Sequence, residues 1–577
     1  MRHILLLFFF TVLTASASPM VLPAEWKFKA GDDASWSKPD LDDRNWKSMR
    51  TGAYWEDQGL ADYDGYAWYR LRLKIPAAWK NEPTFKRHQG LVLELGRIDD
   101  VDETWFNGTS IGRTGQFPDD YQPAWEALRS YLVPAKLLRW DEKNVIAVRV
   151  YDGSRGGGFY SGRQRLSVAT WKDLATLEFE LGKSDGTYRN LNEIPLEATL
   201  RNHSAAPMVG RATWTIKDDE GAILFQSPAG KLVSIPASHS FRLPFPAPHP
   251  GFFQVACRFQ SEGQGAEITN SMTLGFEPEK ISAPLTREND FAHYWKETRA
   301  QLDKIAPEFA LQRRPARDSK THEVYEVTMR SFGNVRVAGW YEKPKAPGPH
   351  PALLRVPGYG SAMNPTGRPD PLAILSFNPR GHGNSQADVK HDPVNYWIRG
   401  LDDKAGYYYR GAYADCLRAV DFLATRSEID QKRIAVTGGS QGGGLSLATA
   451  ALDQRITLCA PDIPFLCDWQ KYFKASHWPE MEKWIAADPI RSWQKTLRTM
   501  SYIDTLNLVD RIRCPVLFGI GLQDGVCPAA TIFSVYNRID APKEYRLYPH
   551  ASHRVPSSHR EEKYRWIHKH FGTKSPE

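Results

Sequence analysis

Three textures of apolar and polar positions follow one another along the 577 residues of the chain. From about 23 to 168, short alternating runs such as Ala67-Trp68-Tyr69-Arg70-Leu71-Arg72-Leu73 and Val145-Ile146-Ala147-Val148-Arg149-Val150 stand between turns rich in Gly, Asp and Asn. That pattern predicts an all-β region. Between about 171 and 279 period two is cleaner: Leu177, Phe179, Leu181; Leu196, Ala198, Leu200; Ala212, Trp214, Ile216; Phe253, Val255, Cys257, Phe259. Strands with one buried face over about 100 residues predict a small immunoglobulin-like β-sandwich, which carries no recognisable chemistry and reads as a spacer. After Pro278 the period changes. An amphipathic run from Phe291 to Leu302 opens a stretch in which helices alternate with continuous apolar runs at 351–356, 372–377, 434–436 and 516–520, the pattern of buried parallel strands in a doubly wound sheet. Residues 465–493 show no readable period.

Within that last stretch, Arg433-Ile434-Ala435-Val436 reads as a strand and 445–452 as a tightly packed helix, and Gly438-Gly439-Ser440-Gln441-Gly442 lies between them. A serine presented on a sharp strand-to-helix turn needs small residues on both flanks, where a Cβ would block backbone or substrate, so the run predicts a nucleophile elbow. A serine hydroxyl is a poor nucleophile at neutral pH. It requires a histidine base, itself held in one tautomer by a carboxylate. Asp524 directly follows the strand at 516–522, while its rivals Asp504 and Asp510 follow no core strand. Beyond the strand at 545–548 come His550, His553 and His559, among which spacing alone makes no choice. The order serine, aspartate, histidine is that of α/β hydrolases.

Composition narrows the class. Charged residues are 24% and apolar residues 41% of the chain, ordinary values for a folded protein, and its length suggests three or four domains. A net charge of +7 is scattered among acids with no basic stripe, which argues against nucleic acid as a partner. Met1-Arg2-His3, an apolar run from Ile4, and Ala15-Ser16-Ala17 have the form of a secretory signal over residues 1–17, with cleavage near Ser18. That run is too short to span a membrane, so an exported protein of the periplasm or the medium is expected. The six cysteines, Cys257, Cys416, Cys459, Cys467, Cys514 and Cys527, show no metal spacing and read as buried free thiols. Asp99, Asp100 and Asp102 offer clustered oxygens for a cation, yet turn chemistry explains them better. Asn107 and Asn202 open sequons that matter only in a glycosylating host.

Two resemblances add to this. Leu41-Asp42-Asp43-Arg44-Asn45-Trp46, Gly65-Tyr66-Ala67-Trp68-Tyr69-Arg70 and Gly96-Arg97-Ile98-Asp99-Asp100-Val101-Asp102-Glu103-Thr104-Trp105-Phe106-Asn107-Gly108 together resemble the galactose-binding-like jelly roll found ahead of many glycoside hydrolases. Arg380-Gly381-His382-Gly383-Asn384-Ser385, Tyr409-Arg410-Gly411-Ala412-Tyr413, Gly438-Gly439-Ser440-Gln441-Gly442-Gly443, Asp462-Ile463-Pro464-Phe465-Leu466-Cys467-Asp468 and Gly521-Leu522-Gln523-Asp524-Gly525-Val526-Cys527-Pro528 resemble the acetyl xylan esterase and cephalosporin C deacetylase family of α/β hydrolases. The second resemblance implies Ser440 as nucleophile, His553 as base, Asp524 as the orienting acid, and an oxyanion hole from the backbone N–H groups of Tyr359 and Gln441. It departs at His382, where the family usually has Gln, and at Arg554, where it usually has Glu. Those departures bear on substrate range and on the family's ring-like oligomer, so a homo-oligomer stays open.

The expectation is a multidomain chain: signal peptide 1–17, jelly roll 21–170, immunoglobulin-like β-sandwich 171–280 and α/β-hydrolase domain 281–577. Its expected activity is removal of O-acetyl groups from acetylated xylan or a related carbohydrate, with no metal, no cofactor and no membrane span. A prolyl oligopeptidase-type serine peptidase is one alternative, though the β region shows no propeller repeat. A carbohydrate-binding protein with an inactive hydrolase domain is the other.

Overall fold

The structure is a computed structural model. It describes residues 18–574 except 61–62, 119–120, 122, 154–155, 181–184, 191–194, 245–248, 263–266, 393–394 and 477. The expected signal peptide and Leu181 therefore lie outside the described residues. Among the described residues no helix is long and apolar enough to cross a membrane.

In the first region the described strands of both sheets pair antiparallel. A six-stranded sheet is centred on Gly65–Lys74 and Lys143–Asp152, and a five-stranded sheet on Gly90–Asp99. Alternate residues of both sheets, among them Phe28, Tyr69, Leu91, Leu93, Ile146 and Val148, share one core. Period two on a half-buried strand places its apolar face there. The second region follows the same logic, with a three-stranded and a six-stranded sheet whose inner faces meet at Leu177, Ala198, Trp214, Val255 and Cys257. Two of its strands matter below, β1 (Gly251–Ser261) and β2 (Glu267–Phe276), paired antiparallel with Gln254 opposite Thr273.

The third region holds a nine-stranded sheet. Its strands are β3 (Ala310–Arg313), β4 (His322–Arg330), β5 (Arg336–Pro344), β6 (His350–Val356), β7 (Ala373–Asn378), β8 (Ile429–Gly439), β9 (Leu458–Asp462), β10 (Val516–Gly521) and β11 (Lys543–Tyr548). Their spatial order is β3-β4-β5-β7-β6-β8-β9-β10-β11. From β7 to β11 neighbours are parallel, as the apolar runs predicted, whereas β3, β4 and β5 form an antiparallel edge that the pattern does not announce. The helices used here are α1 (Phe291–Asp303), α2 (Tyr408–Ala424), α3 (Gln441–Leu452), α4 (Trp469–Ala475), α5 (Pro479–Ala486), α6 (Trp493–Met500), α7 (Ala529–Asn537) and α8 (Ser557–Phe571). A buried layer including Ala412, Cys416, Val420, Val436, Leu445 and Phe518 packs helices on the sheet. All six cysteines are buried and unbridged, as expected of small core hydrophobes.

Candidate active site

Ser440 stands between the end of β8 and the start of α3 with φ 57° and ψ −121°, a backbone conformation unfavourable for a residue with a side chain. Its surroundings enforce that turn. A Cβ on Gly438 would lie 2.6 Å from the Val356 carbonyl oxygen, and one on Gly442 2.5 Å from the same oxygen. Gly439, by contrast, has nothing within 4 Å of such a Cβ. The Ser440 N–H donates to the Asp462 carbonyl at 3.0 Å, which pins the elbow to β9. The Asp462 carboxylate is in turn held by His559 at 2.9 Å and by Lys563, both on α8.

The three residues expected to work together are brought together. His553 Nε2 lies 3.0 Å from Ser440 Oγ, and His553 Nδ1 lies 2.8 Å from Asp524 Oδ2. The other oxygen of Asp524 accepts the N–H groups of Val526 and Cys527, each at 2.8 Å. The carboxylate thus keeps one oxygen for the imidazole and is fixed in rotation by the other. The rivals stand elsewhere. His550 is exposed, His559 is buried against Asp462, Asp510 pairs with Arg287, and Asp504 accepts the N–H groups of Asp468, Trp469 and Leu506.

Ser440 and His553 open on a cavity of about 550 Å³ whose walls include Gly358, Tyr359, Phe465, Tyr472, Trp478 and Val526. Its size is that of a small-molecule site. Tyr359, three residues beyond the end of β6, lines the same cavity as Ser440. Gln441 is the first residue of α3, where helix N–H groups have no intrahelical acceptor and the helix dipole favours negative charge. Sequence reasoning missed the aromatic wall formed by Phe465, Tyr472 and Trp478, which pack edge-on or tilted at centroid distances of 5.5–6.2 Å. Tyr472 lies on α4, which has 7 residues and is too short to show a period.

The two departures have visible surroundings. His382 is buried beneath the elbow, with Nε2 3.1 Å from Gln441 Nε2 and Nδ1 3.2 Å from the Tyr408 hydroxyl. Burial pushes its pKa down to about 4, and a neutral ring with its proton on Nδ1 accepts from the Gln441 amide. The Tyr409 hydroxyl donates to the other end of that amide at 2.9 Å. Arg554 is exposed and donates to the Pro123 carbonyl of the first β region at 3.4 Å. The motif residue Arg380 forms a two-point ion pair with Asp415 of α2, both contacts at 2.8 Å, and Gly411 is needed there because a Cβ would sit 2.2 Å from the guanidinium.

In the first region Asp102 is bound within the protein by Arg129 at 2.8 Å, with Thr104 and Tyr131 on its second oxygen. Asp99, Asp100 and Asp152 bring oxygens within 4.8 Å of one another, and burial beside Asp100 pushes Asp99 up to about 8. Asp100 accepts from the Tyr121 hydroxyl and from Gly153 N–H at 3.0 Å. Asn107 and Asn202 brace turns through their side chains.

The profile of the acetyl xylan esterase (AXE1) family matches residues 279–570. The chain belongs to that family. Its third region has the α/β-hydrolase fold, and the family is one of carboxylic ester hydrolases. This member is similar to the acetyl esterase Axe7A of Xylanibacter ruminicola, at 29% identity over 339 residues, 56% of this chain and 74% of that one. It is also similar to a 4-O-methyl-glucuronoyl methylesterase of Thermothelomyces thermophilus, at 30% identity over 175 residues, 28% of this chain and 42% of that one. Among solved structures it is similar to the acetyl xylan esterase from Paenibacillus sp. R4, with 32% identity and a TM-score of 0.47 over 51% of this chain and 98% of that one.

Proposed function

We propose that the protein is an exported serine carbohydrate esterase that removes O-acetyl groups from acetylated xylan or related oligosaccharides. The observation that carries this reading is the pair of contacts made by His553, to Ser440 on one nitrogen and Asp524 on the other, at the mouth of an aromatic-walled cavity. In this mechanism Ser440 Oγ attacks the acetyl carbonyl carbon while His553 Nε2 takes the hydroxyl proton. Asp524 holds the Nδ1–H and stabilises the imidazolium. The oxygen that becomes negative is received by the N–H groups of Gln441 and Tyr359. One such donor is typically worth about 10²–10³ in turnover. His553 then passes its proton to the departing sugar oxygen, which leaves an acetyl group on Ser440. Water, deprotonated by the same nitrogen, attacks that ester. Acetate departs and Ser440 regains its proton. The walls formed by Phe465, Tyr472 and Trp478 offer flat apolar surfaces to the carbohydrate.

In the same proposal residues 21–170 are a galactose-binding-like jelly roll and 171–280 an immunoglobulin-like β-sandwich ahead of the catalytic domain at 281–577. The test is acetate release from acetylated xylan, acetylated xylo-oligosaccharides and a small acetyl ester, with Ser440→Ala alongside. Release from the carbohydrates that falls by at least about 10⁴-fold in the variant is expected. Release that survives in folded Ser440→Ala protein would overturn the serine mechanism. Release from the small ester alone would overturn the carbohydrate substrate.

A further inference from the structure

Gln523 immediately precedes Asp524, and its carboxamide is engaged on every side. Its Oε1 accepts the Thr273 N–H at 2.7 Å, and its Nε2 donates to the Thr273 carbonyl at 2.9 Å. Thr273 lies on β2 of the second β region, whose ladder partner at that position, Gln254 of β1, is on the opposite side. On the other side of β2, the short strand Thr187–Tyr188 pairs with Gly275 and Phe276. A carboxamide presents the same donor and acceptor as a peptide group, so the Gln523 side chain continues that sheet edge where the strand stops.

The same amide also reaches the histidine loop. Gln523 Nε2 donates to the Pro549 carbonyl at 2.7 Å, and the Gln523 backbone N–H donates to the Ala551 carbonyl at 2.9 Å. Residues 549–552 lead from β11 to His553. Their close approach is possible because position 521 is Gly, where a Cβ would lie 2.2 Å from the Ser552 carbonyl oxygen. One residue therefore ties together the strand edge of the second β region, the loop that carries the acid and the loop that carries the base. Neighbouring contacts reinforce the junction: Lys471 of α4 pairs with Asp219 at 3.2 Å, and Phe252 packs on Phe533 of α7 at a centroid distance of 5.4 Å.

We infer that Gln523 is a positioning residue that sets the Asp524–His553 alignment, and that the second β region is through it a working part of the active site rather than a spacer. This rests on the catalytic roles proposed above. The geometric sensitivity of proton transfer gives the expected size, since a displacement of an ångström in a catalytic group costs on the order of 10²-fold in rate.

The test compares Gln523→Leu and Gln523→Glu in the full chain. Each is assayed for kcat and KM on a small acetyl ester, with competent serines counted by a serine-reactive phosphonate. Glu retains an acceptor for Thr273 N–H but has no donor for the Thr273 and Pro549 carbonyls. Both variants should lose about 10- to 100-fold in kcat per titrated site, with KM within about twofold of the parent. A residue that only supported folding would lower the number of titrated sites and leave kcat per site unchanged, and that result would overturn the inference. Should the leucine variant be recovered unfolded, the glutamate variant, polar and of equal length, carries the test. Ser440→Ala run in parallel separates the two claims. Full activity there sinks the catalytic roles themselves, whereas an inactive Ser440→Ala beside an unimpaired Gln523→Leu sinks this inference alone.

Discussion

Ser440 is held by packing inside one sheet, whereas Asp524 and His553 sit on two loops tied to each other and to a different region of the chain by hydrogen bonds. On the serine side, the Val356 carbonyl crowds Gly438 and Gly442, and the Asp462 carbonyl fixes Ser440 N–H. A Cβ added at either glycine would meet backbone. On the acid side the carboxylate accepts two N–H groups of its own loop, and the amide of the preceding residue, Gln523, reaches Thr273 and Pro549. Hydrogen bonds of this kind contribute about 1 kcal/mol each to stability, so they set alignment more than they set folding. Damage to the serine side should therefore register in stability. Damage to the acid side should register in turnover.

The largest stability effect expected on the serine side comes from His382. Its folded-state pKa of about 4 lies below its usual 6.5, so the unfolded chain takes up the proton first as the pH falls. The stability that the neutral ring supports is fully present above pH 6.5 and is lost as the pH drops towards 4. A depression of this size corresponds to about 3 kcal/mol. Urea unfolding at pH 7 and pH 4 should show the parent losing about 3 kcal/mol more over that interval than His382→Gln, which has no titrating ring. Equal losses would mean that the buried histidine does not anchor the elbow.

Steric crowding gives a smaller contrast. Gly438→Ala should lower stability by about 1–3 kcal/mol, because its Cβ meets backbone rather than a yielding side chain. Gly439→Ala, with open space at its Cβ, should stay within about 0.5 kcal/mol of the parent. Thermal or denaturant unfolding of the two variants decides this. Similar losses would show that the elbow is not held by packing, and the comparison drawn above would fail.

Legibility in the sequence followed the same division. The serine side depends on local order, so an apolar strand, glycines around Ser440 and a small-residue helix were visible within about twenty residues. Asp524 was visible as an acid at the end of a buried strand. His553 could not be separated from His550 or His559 by spacing, since all three follow one strand. The structure distinguishes them by environment, one exposed, one beside Ser440 and one buried against Asp462. The antiparallel edge β3–β5 was hidden because its strands mix buried, half-buried and exposed positions. The aromatic wall was hidden because α4 and α5 are shorter than the window in which a helical period shows. Gln523 had no local signal at all. Its partner Thr273 is 250 residues away in a region whose pattern speaks only of a sandwich.

The most direct test of the account is to mix the full chain with a small acetyl ester, quench in acid within the first turnovers, and locate any added acetyl group by mass spectrometry of its peptides. An acetyl group on the peptide containing Ser440, and none on that peptide in Ser440→Ala, is the predicted result. Turnover with the acetyl group on another residue, or turnover of the Ser440→Ala chain at the parent's rate, would contradict it.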